Sequence, residues 1–156
     1  TAKFLSNLKV SSPTPEAGFR GDQGELTLSF LPEKKGHESL WNEVVEGIGG
    51  NSRLVKDGKI FEESYRGPKS TQDDPRTALG YNDKKLFLMV VDGRQGGYSI
   101  GMSYRDVASA MIELGATEAI NLDGGSSSTF ISNGMLINRP SGGQERDVLN
   151  AVFITQ

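Results

Sequence analysis

Leu86-Phe-Leu-Met-Val-Val-Asp-Gly-Arg94, followed by Ser103-Tyr-Arg-Asp-Val-Ala-Ser-Ala-Met-Ile-Glu-Leu-Gly115 and then Ala119-Ile-Asn-Leu-Asp-Gly124, is the stretch that decides the fold. Leu86 to Val91 is an unbroken apolar run of strand length, which predicts a central strand covered on both faces. Ser103-Tyr-Arg-Asp106 reads as a capping box, and Tyr104, Val107, Ala108, Met111 and Leu114 form one stripe of a helix that Gly115 ends. Ala119 to Leu122 is a second, short apolar strand. A strand, a helix and a strand in succession predict two parallel neighbours joined by a right-handed crossover. Both strands end in the same dipeptide, Asp92-Gly93 and Asp123-Gly124. Parallel neighbours place their carboxyl ends on one edge, so the two carboxylates are expected to share a crevice, where open sheets of this kind bind ligands.

Working outward, Arg76-Thr-Ala-Leu-Gly80 and the Leu86 strand, joined through Tyr81 to Lys85, predict an antiparallel hairpin. With Gly80 facing Leu86, Arg76 falls close to Asp92. Asp57-Gly58 and Asn133-Gly134 each sit between short apolar runs and predict tight hairpin turns. Glu62 to Pro75 is a polar loop of the length that is usually functional or disordered inside a compact domain. Val148 to Ile154 is expected to pair antiparallel with Ala119 to Leu122, which would carry Arg146 to the same edge. Towards the N-terminus, Glu25 to Phe30 reads as a strand. From Glu38, the positions Leu40, Trp41, Val44, Val45 and Ile48 read as a short helix stopped by Gly47, Gly49 and Gly50. The expected fold class is α/β to α+β, a mixed β-sheet with one parallel strand-helix-strand unit and flanking antiparallel hairpins, in a single domain over 1–156.

Composition narrows the chemistry. The 156 residues contain no Cys and one His, which excludes disulfides, thiol nucleophiles, Cys-ligated zinc and zinc sites built on several imidazoles. No apolar run is long enough to span a bilayer. A net charge of −3 without a basic cluster argues against general nucleic-acid binding, which rests on phosphate neutralisation. The expected ligand is instead a small molecule or a glycan. The first residue is Thr1 rather than Met, and the chain is expected to be a processed or excised piece.

Asn121-Leu-Asp-Gly-Gly-Ser-Ser-Ser-Thr129 carries the most chemistry. Its glycines and serines can turn backbone N–H groups and hydroxyls inward as an anion-binding nest, with Asp123 at the root. The same residues also build ordinary exposed turns, so both readings stay open. Asp92-Gly-Arg94 is either a second functional carboxylate with an arginine beside it or a turn closed by an ion pair. Arg76 and Arg146 either grip a phosphate bidentately or serve as surface cations, Arg146 with Glu145 and Asp147 as ready partners. His37 has no visible partner. Gly124-Gly-Ser126-Ser-Ser128 falls one residue short of the nucleophile elbow of serine hydrolases, and the expected hairpin stands where that motif needs a helix.

Arg76-Thr-Ala-Leu-Gly80, Val91-Asp-Gly-Arg94, Gly101-Met-Ser103, Leu114-Gly-Ala116, Asn121-Leu-Asp-Gly-Gly-Ser-Ser127 and Glu145-Arg146, in this order and spacing, together resemble the phosphodiester glycosidase family. The likeness spans 47–154 and leaves 1–46 unmatched, as an incomplete family domain completed by a second chain or a removed segment. Ser126 stands where the family usually has a third glycine. The resemblance implies hydrolysis of a sugar-1-phosphodiester at its glycosidic bond, giving free sugar and a phosphomonoester, in a secreted or cell-envelope setting with a phosphorylated sugar or glycan as partner. In that reading Asp123 and Asp92 are catalytic, with Asp123 the nucleophile or oxocarbenium stabiliser. Arg76, Arg94, Arg146, Asn121, Gly124, Gly125, Ser126 and Ser127 bind substrate and phosphate. No resident metal is expected, although a divalent cation between Asp92 and Asp123 is conceivable; two carboxylates alone make an incomplete site for it. Two alternatives accompany this reading: a non-catalytic module for phosphorylated envelope glycans, and a serine hydrolase using Ser126.

Overall fold

The computed structural model describes residues 48–65, 67–149 and 151–154, residue 39, and the backbone of 18–21 and 24–27. The chain divides into two compact units, one of 1–49, 83–85 and 149–156, the other of 50–82 and 86–148. In the first, β1 (Gly18–Gly21) and β2 (Gly24–Thr27) form an antiparallel pair. The expected helix from Glu38 lies outside the described residues apart from Ile48 and an isolated helical residue at Ser39, as does His37.

The second unit is built on one five-stranded sheet. Its strands are β3 (Ser52–Lys56), β4 (Lys59–Ile60), β5 (Arg76–Tyr81), β6 (Leu86–Val91) and β7 (Glu118–Asn121), in the spatial order β4-β3-β7-β5-β6. A helix, α1 (Tyr104–Glu113), connects β6 to β7, and a small hairpin of β8 (Ile131–Ser132) and β9 (Met135–Leu136) follows. Asp57 and Gly58 both have positive φ, as do Asn133 and Gly134, so both predicted tight turns form. Two short 3₁₀ turns, Glu62–Ser64 and Pro68–Ser70, occupy the loop before β5.

The helix matches its signals. Ser103 accepts from the Asp106 amide while the Asp106 side chain accepts from the Ser103 amide. At the other end Gly115 has φ +97°, and the Gly115 and Ala116 amides donate to the Ile112 and Met111 carbonyls, a Schellman closure. Tyr104, Val107, Ala108 and Met111 pack with Leu54, Val55, Ala78, Ala116 and Ala119 into the core. Leu114, expected in that stripe, is exposed because the closure turns it outward. Gly80 is required by the helix: a Cβ there would lie 2.9 Å from the Glu118 carbonyl and 3.1 Å from the Met111 sulfur.

Every pairing in this sheet is antiparallel, which corrects the expected parallel unit. The fold is α+β. β6 and β7 are not neighbours; β5 lies between them and pairs antiparallel with each. The crossover helix is long enough to step over one strand, and local sequence does not report which strand fills the gap. The expectation of β6 as a central strand is also corrected: among the described residues it is an edge strand, half-buried on its faces. An apolar run signals covered faces and says nothing about its edges. The hairpin register is shifted by one, Tyr81 pairing with Leu86 and Gly80 with Phe87, because a strand apolar on both faces lacks the alternation that pins register. The segment 151–154 forms no strand, and β7 is flanked by β3 and β5 instead. The expected partner position is already filled.

Candidate active site

Because β5 opposes both β6 and β7, those two strands still run the same way, and Val91 and Asn121 end at the same edge of the sheet. Their backbones are two strand spacings apart, roughly 10 Å. Between them runs Asp74-Pro-Arg76, and the glycines of three separate motifs close upon it. A Cβ on Gly93 would lie 2.7 Å from the Pro75 nitrogen, one on Gly124 2.7 Å from the Pro75 carbonyl oxygen, and one on Gly101 closer still to the Asp74 carbonyl. Gly101 also has φ +108°. The Asp74 and Met102 backbones exchange hydrogen bonds, and the Gly125 amide donates to the Pro75 carbonyl at 2.9 Å. No side chain larger than hydrogen fits at these three contacts, so the glycines serve packing of the site's backbone first.

Side chains alternate along β5: Arg76 and Ala78 face α1, Thr77 faces away. Arg76 is 4% exposed, and its guanidinium lies 4.5 Å over the Tyr104 ring. Its Nε donates to the Met102 carbonyl at 2.8 Å and its Nη2 to the Lys69 and Gln72 carbonyls at 2.7 and 2.5 Å. Burial lowers its pKa from the usual arginine range, while Tyr104 and Asp74 oppose that shift. Asn121 is on the same face and buried. Its Nδ2 donates to Asn51 Oδ1 at 2.9 Å and to the Leu122 carbonyl at 2.7 Å. Asn51 in turn donates to the Tyr104 hydroxyl at 2.8 Å. Arg76 and Asn121 therefore tie loop, helix and sheet together behind the edge.

Asp92 is fastened on the other face. Its Oδ1 accepts from Asn138 Nδ2 at 2.9 Å, its Oδ2 from the Tyr98 hydroxyl at 3.0 Å, and both oxygens from the Arg139 amide at 3.0 and 2.9 Å. Asn138 also holds the Ser128 carbonyl, and Ser128 Oγ accepts from Thr77. The Asp92 carboxylate raises the pKa of the Tyr98 phenol by accepting its proton in a hydrogen bond, and Arg139 stacks on the outer ring at 4.3 Å. Asn138 and Arg139 carry no local sequence signal for this role. Only Tyr98, an aromatic in a glycine-rich loop, carried a local signal.

Asp123 differs. It is exposed, and its carboxylate takes no hydrogen bond from the described residues. The loop that follows makes a 3₁₀ turn over Gly125–Ser127, entered with Gly125 at φ +64°. The Ser127 and Ser128 amides bond back to the Gly124 and Gly125 carbonyls. The amides of Gly124 and Ser126 have no such bond among the described residues, so the anion nest expected from this loop reduces to those two. Two cations border it. Arg94 forks onto Asp74 and covers Gly125, a Cβ on which would lie 3.3 Å from its Nη1, while Arg146 Nη1 donates to Ser126 Oγ at 3.2 Å. Arg146 thus reaches the loop without a strand to carry it. The structure brings Arg94 and Arg146 to Gly125 and Ser126 of the loop rooted in Asp123, holds Asp92 in its own clasp at the end of β6, and buries Arg76 and Asn121 on the α1 face of the sheet. Among the described residues no three acidic or imidazole side chains gather as metal ligands.

A glycine-and-serine loop with a free carboxylate at its root and two arginines at its rim offers amide and guanidinium donors of the kind that suit an anion. The chain belongs to the phosphodiester glycosidase family, whose pattern matches residues 8–155, further towards the N-terminus than the 47–154 expected from motifs. It is 31% identical to N-acetylglucosamine-1-phosphodiester alpha-N-acetylglucosaminidase of Bos taurus, over 80% of this chain and 25% of that protein. The Homo sapiens protein of the same name is 30% identical, over 80% of this chain and 26% of its own. The solved catalytic domain of the zebrafish protein, auto-inhibited by its pro-peptide, superposes with a TM-score of 0.60 at 30% identity, covering 80% of this chain and 44% of that one. The chain spans about a quarter of the length of the curated relatives it matches.

Proposed function

We propose that the protein hydrolyses a sugar-1-phosphodiester at the bond between the anomeric carbon and the phosphodiester oxygen, releasing free sugar and a phosphomonoester. N-acetylglucosamine is the sugar suggested by the relatives' names. The observation that carries this reading is the contrast in carboxylates: Asp123 stands exposed and unengaged at the root of a loop whose Gly125 and Ser126 are bordered by Arg94 and Arg146. A phosphomonoester leaves far more readily than a sugar hydroxyl, so the site needs cations at the departing oxygens more than a strong general acid. Arg94, Arg146 and the Gly124 and Ser126 amides supply that stabilisation, and Asp123 attacks or shields the oxocarbenium-like carbon. Asp92, with both oxygens occupied, holds Tyr98 and Arg139 in place rather than approaching the sugar. Ser126 is not placed as a nucleophile: its hydroxyl accepts from Arg146, and a β-hairpin rather than a helix follows. The reading extends to a secreted or envelope setting, where phosphodiester-linked glycans are presented, and no helix of the described residues is long and apolar enough to cross a membrane.

The test is release of free sugar from a small N-acetylglucosamine-1-phosphodiester, with Asp123→Asn as control. Turnover by the wild type and binding without turnover by the variant support the assignment. Saturable binding with no product from either protein identifies a binding module instead.

A further inference from the structure

Arg94 is held in an unusual way. It is a non-glycine residue at φ +58°, in the left-handed region that costs an ordinary side chain of order 1 kcal/mol. Its Nε donates to Asp74 Oδ1 at 2.7 Å and its Nη2 to Asp74 Oδ2 at 2.9 Å, a bidentate fork. Half of the Arg94 side chain is open to solvent, whereas Asp74 is 15% exposed. Asp74 is itself immobilised, its backbone paired with Met102 and its carbonyl pressed against Gly101. Nη1, the one guanidinium nitrogen outside the fork, has no hydrogen-bond partner among the described residues, and Nη1 and Nη2 both lie 3.3 Å from where a Gly125 Cβ would stand. The hydrogen bond from Arg94 is also the largest influence holding the Asp74 carboxyl below its ordinary range, and the same bond holds Arg94 firmly protonated.

The geometry points to Asp74 as a positioning residue for phosphate recognition: it fixes the plane of the Arg94 guanidinium so that Nη1 faces the anion seated over Gly124 to Ser126. This inference rests on the proposed phosphodiester chemistry of that loop. Entropy here works against charge. An arginine free to rotate presents its full charge in many directions and loses rotamer freedom on binding; one forked to a carboxylate gives up net charge but keeps its remaining donors aimed. The left-handed backbone at Arg94 accompanies a side chain held against Asp74 and Gly125. An exposed ion pair of this sort contributes little to stability by itself, which leaves orientation as its effect.

The experiment compares wild type, Asp74→Ala, Asp74→Asn, Arg94→Ala and the Asp74→Ala/Arg94→Ala double variant in two assays, sugar release from the phosphodiester and calorimetric binding of inorganic phosphate. Asp74→Ala is expected to raise KM and weaken phosphate binding about tenfold with kcat within about threefold, while Asp74→Asn, which keeps one acceptor, recovers most of the loss. The double variant is expected to bind no worse than Arg94→Ala alone, because Asp74 acts through Arg94. Unchanged KM and phosphate affinity in Asp74→Ala, additive losses in the double variant, or no phosphate binding by any protein overturns the inference. Asp74-dependent phosphate binding without sugar release sustains the positioning role and removes the glycosidase reading instead.

Discussion

Two aspartates, each followed by glycine and each closing a strand on the same sheet edge, have opposite fates. Asp92 receives hydrogen bonds from Tyr98, Asn138 and the Arg139 amide and joins the end of β6 to the segment after the β8–β9 hairpin. Asp123, two residues beyond β7, has no such partner among the described residues and faces solvent. The difference is one of supply. A carboxylate whose lone pairs are filled by fixed donors has few left for a substrate and is poorly placed to attack carbon, whereas an unfilled one keeps its oxygens free. The same dipeptide makes a fastener in one place and a candidate reactive group in the other.

The comparison is sharpest in Asp123→Asn. Turnover of the phosphodiester is expected to fall on the order of 10³-fold while the melting temperature stays within about 2 °C of wild type, since no described side chain depends on that carboxylate. A large loss of stability here would break the contrast. Arg76→Met tests the layer beneath and should destabilise the fold by about 3 kcal/mol in chemical denaturation, because it strips the Met102, Lys69 and Gln72 carbonyls of their buried donor. Asp92→Asn is expected to cost about 2 kcal/mol, since a single amide oxygen must replace two acceptors and an NH₂ then faces existing donors. Its turnover should drop less than tenfold, and a loss as deep as that of Asp123→Asn would make Asp92 a reactive group after all.

The smallest effect is a pH dependence. The Asp74 carboxyl is held below its ordinary value of 3.8, first by the Arg94 hydrogen bond. The unfolded chain therefore takes up that proton at higher pH than the folded one, so the pair's contribution is complete above about pH 4 and is lost as pH falls further. Exposure of Arg94 keeps it below about 1 kcal/mol. Urea midpoints of wild type and Asp74→Asn should converge as pH is lowered through that range and differ by a constant amount above it.

Much of this was legible locally. Ser103 to Asp106 and Gly115 announce both ends of α1, and Asp57-Gly58 and Asn133-Gly134 announce their turns, because caps and positive-φ turns depend on residues a few positions apart. The shared edge for Asp92 and Asp123 was legible too, although the parallel pairing that suggested it is absent: β5 separates β6 and β7 and leaves their directions alike. Asp74 carries no local signal within its polar loop, since its partner Arg94 is distant in the chain and no periodicity links them.

The sequence by itself determined the helix and its caps, the tight turns, the span of the Leu86–Val91 strand, and the charged and glycine residues that gather around the loop after β7, all of which follow from short-range sterics and side-chain chemistry. Only the tertiary structure decided strand order, which carboxylate is filled and which is free, and that Arg76 is buried while Arg94 is presented at the rim. Those outcomes turn on which donors and acceptors meet across the sheet, and no local pattern encodes that.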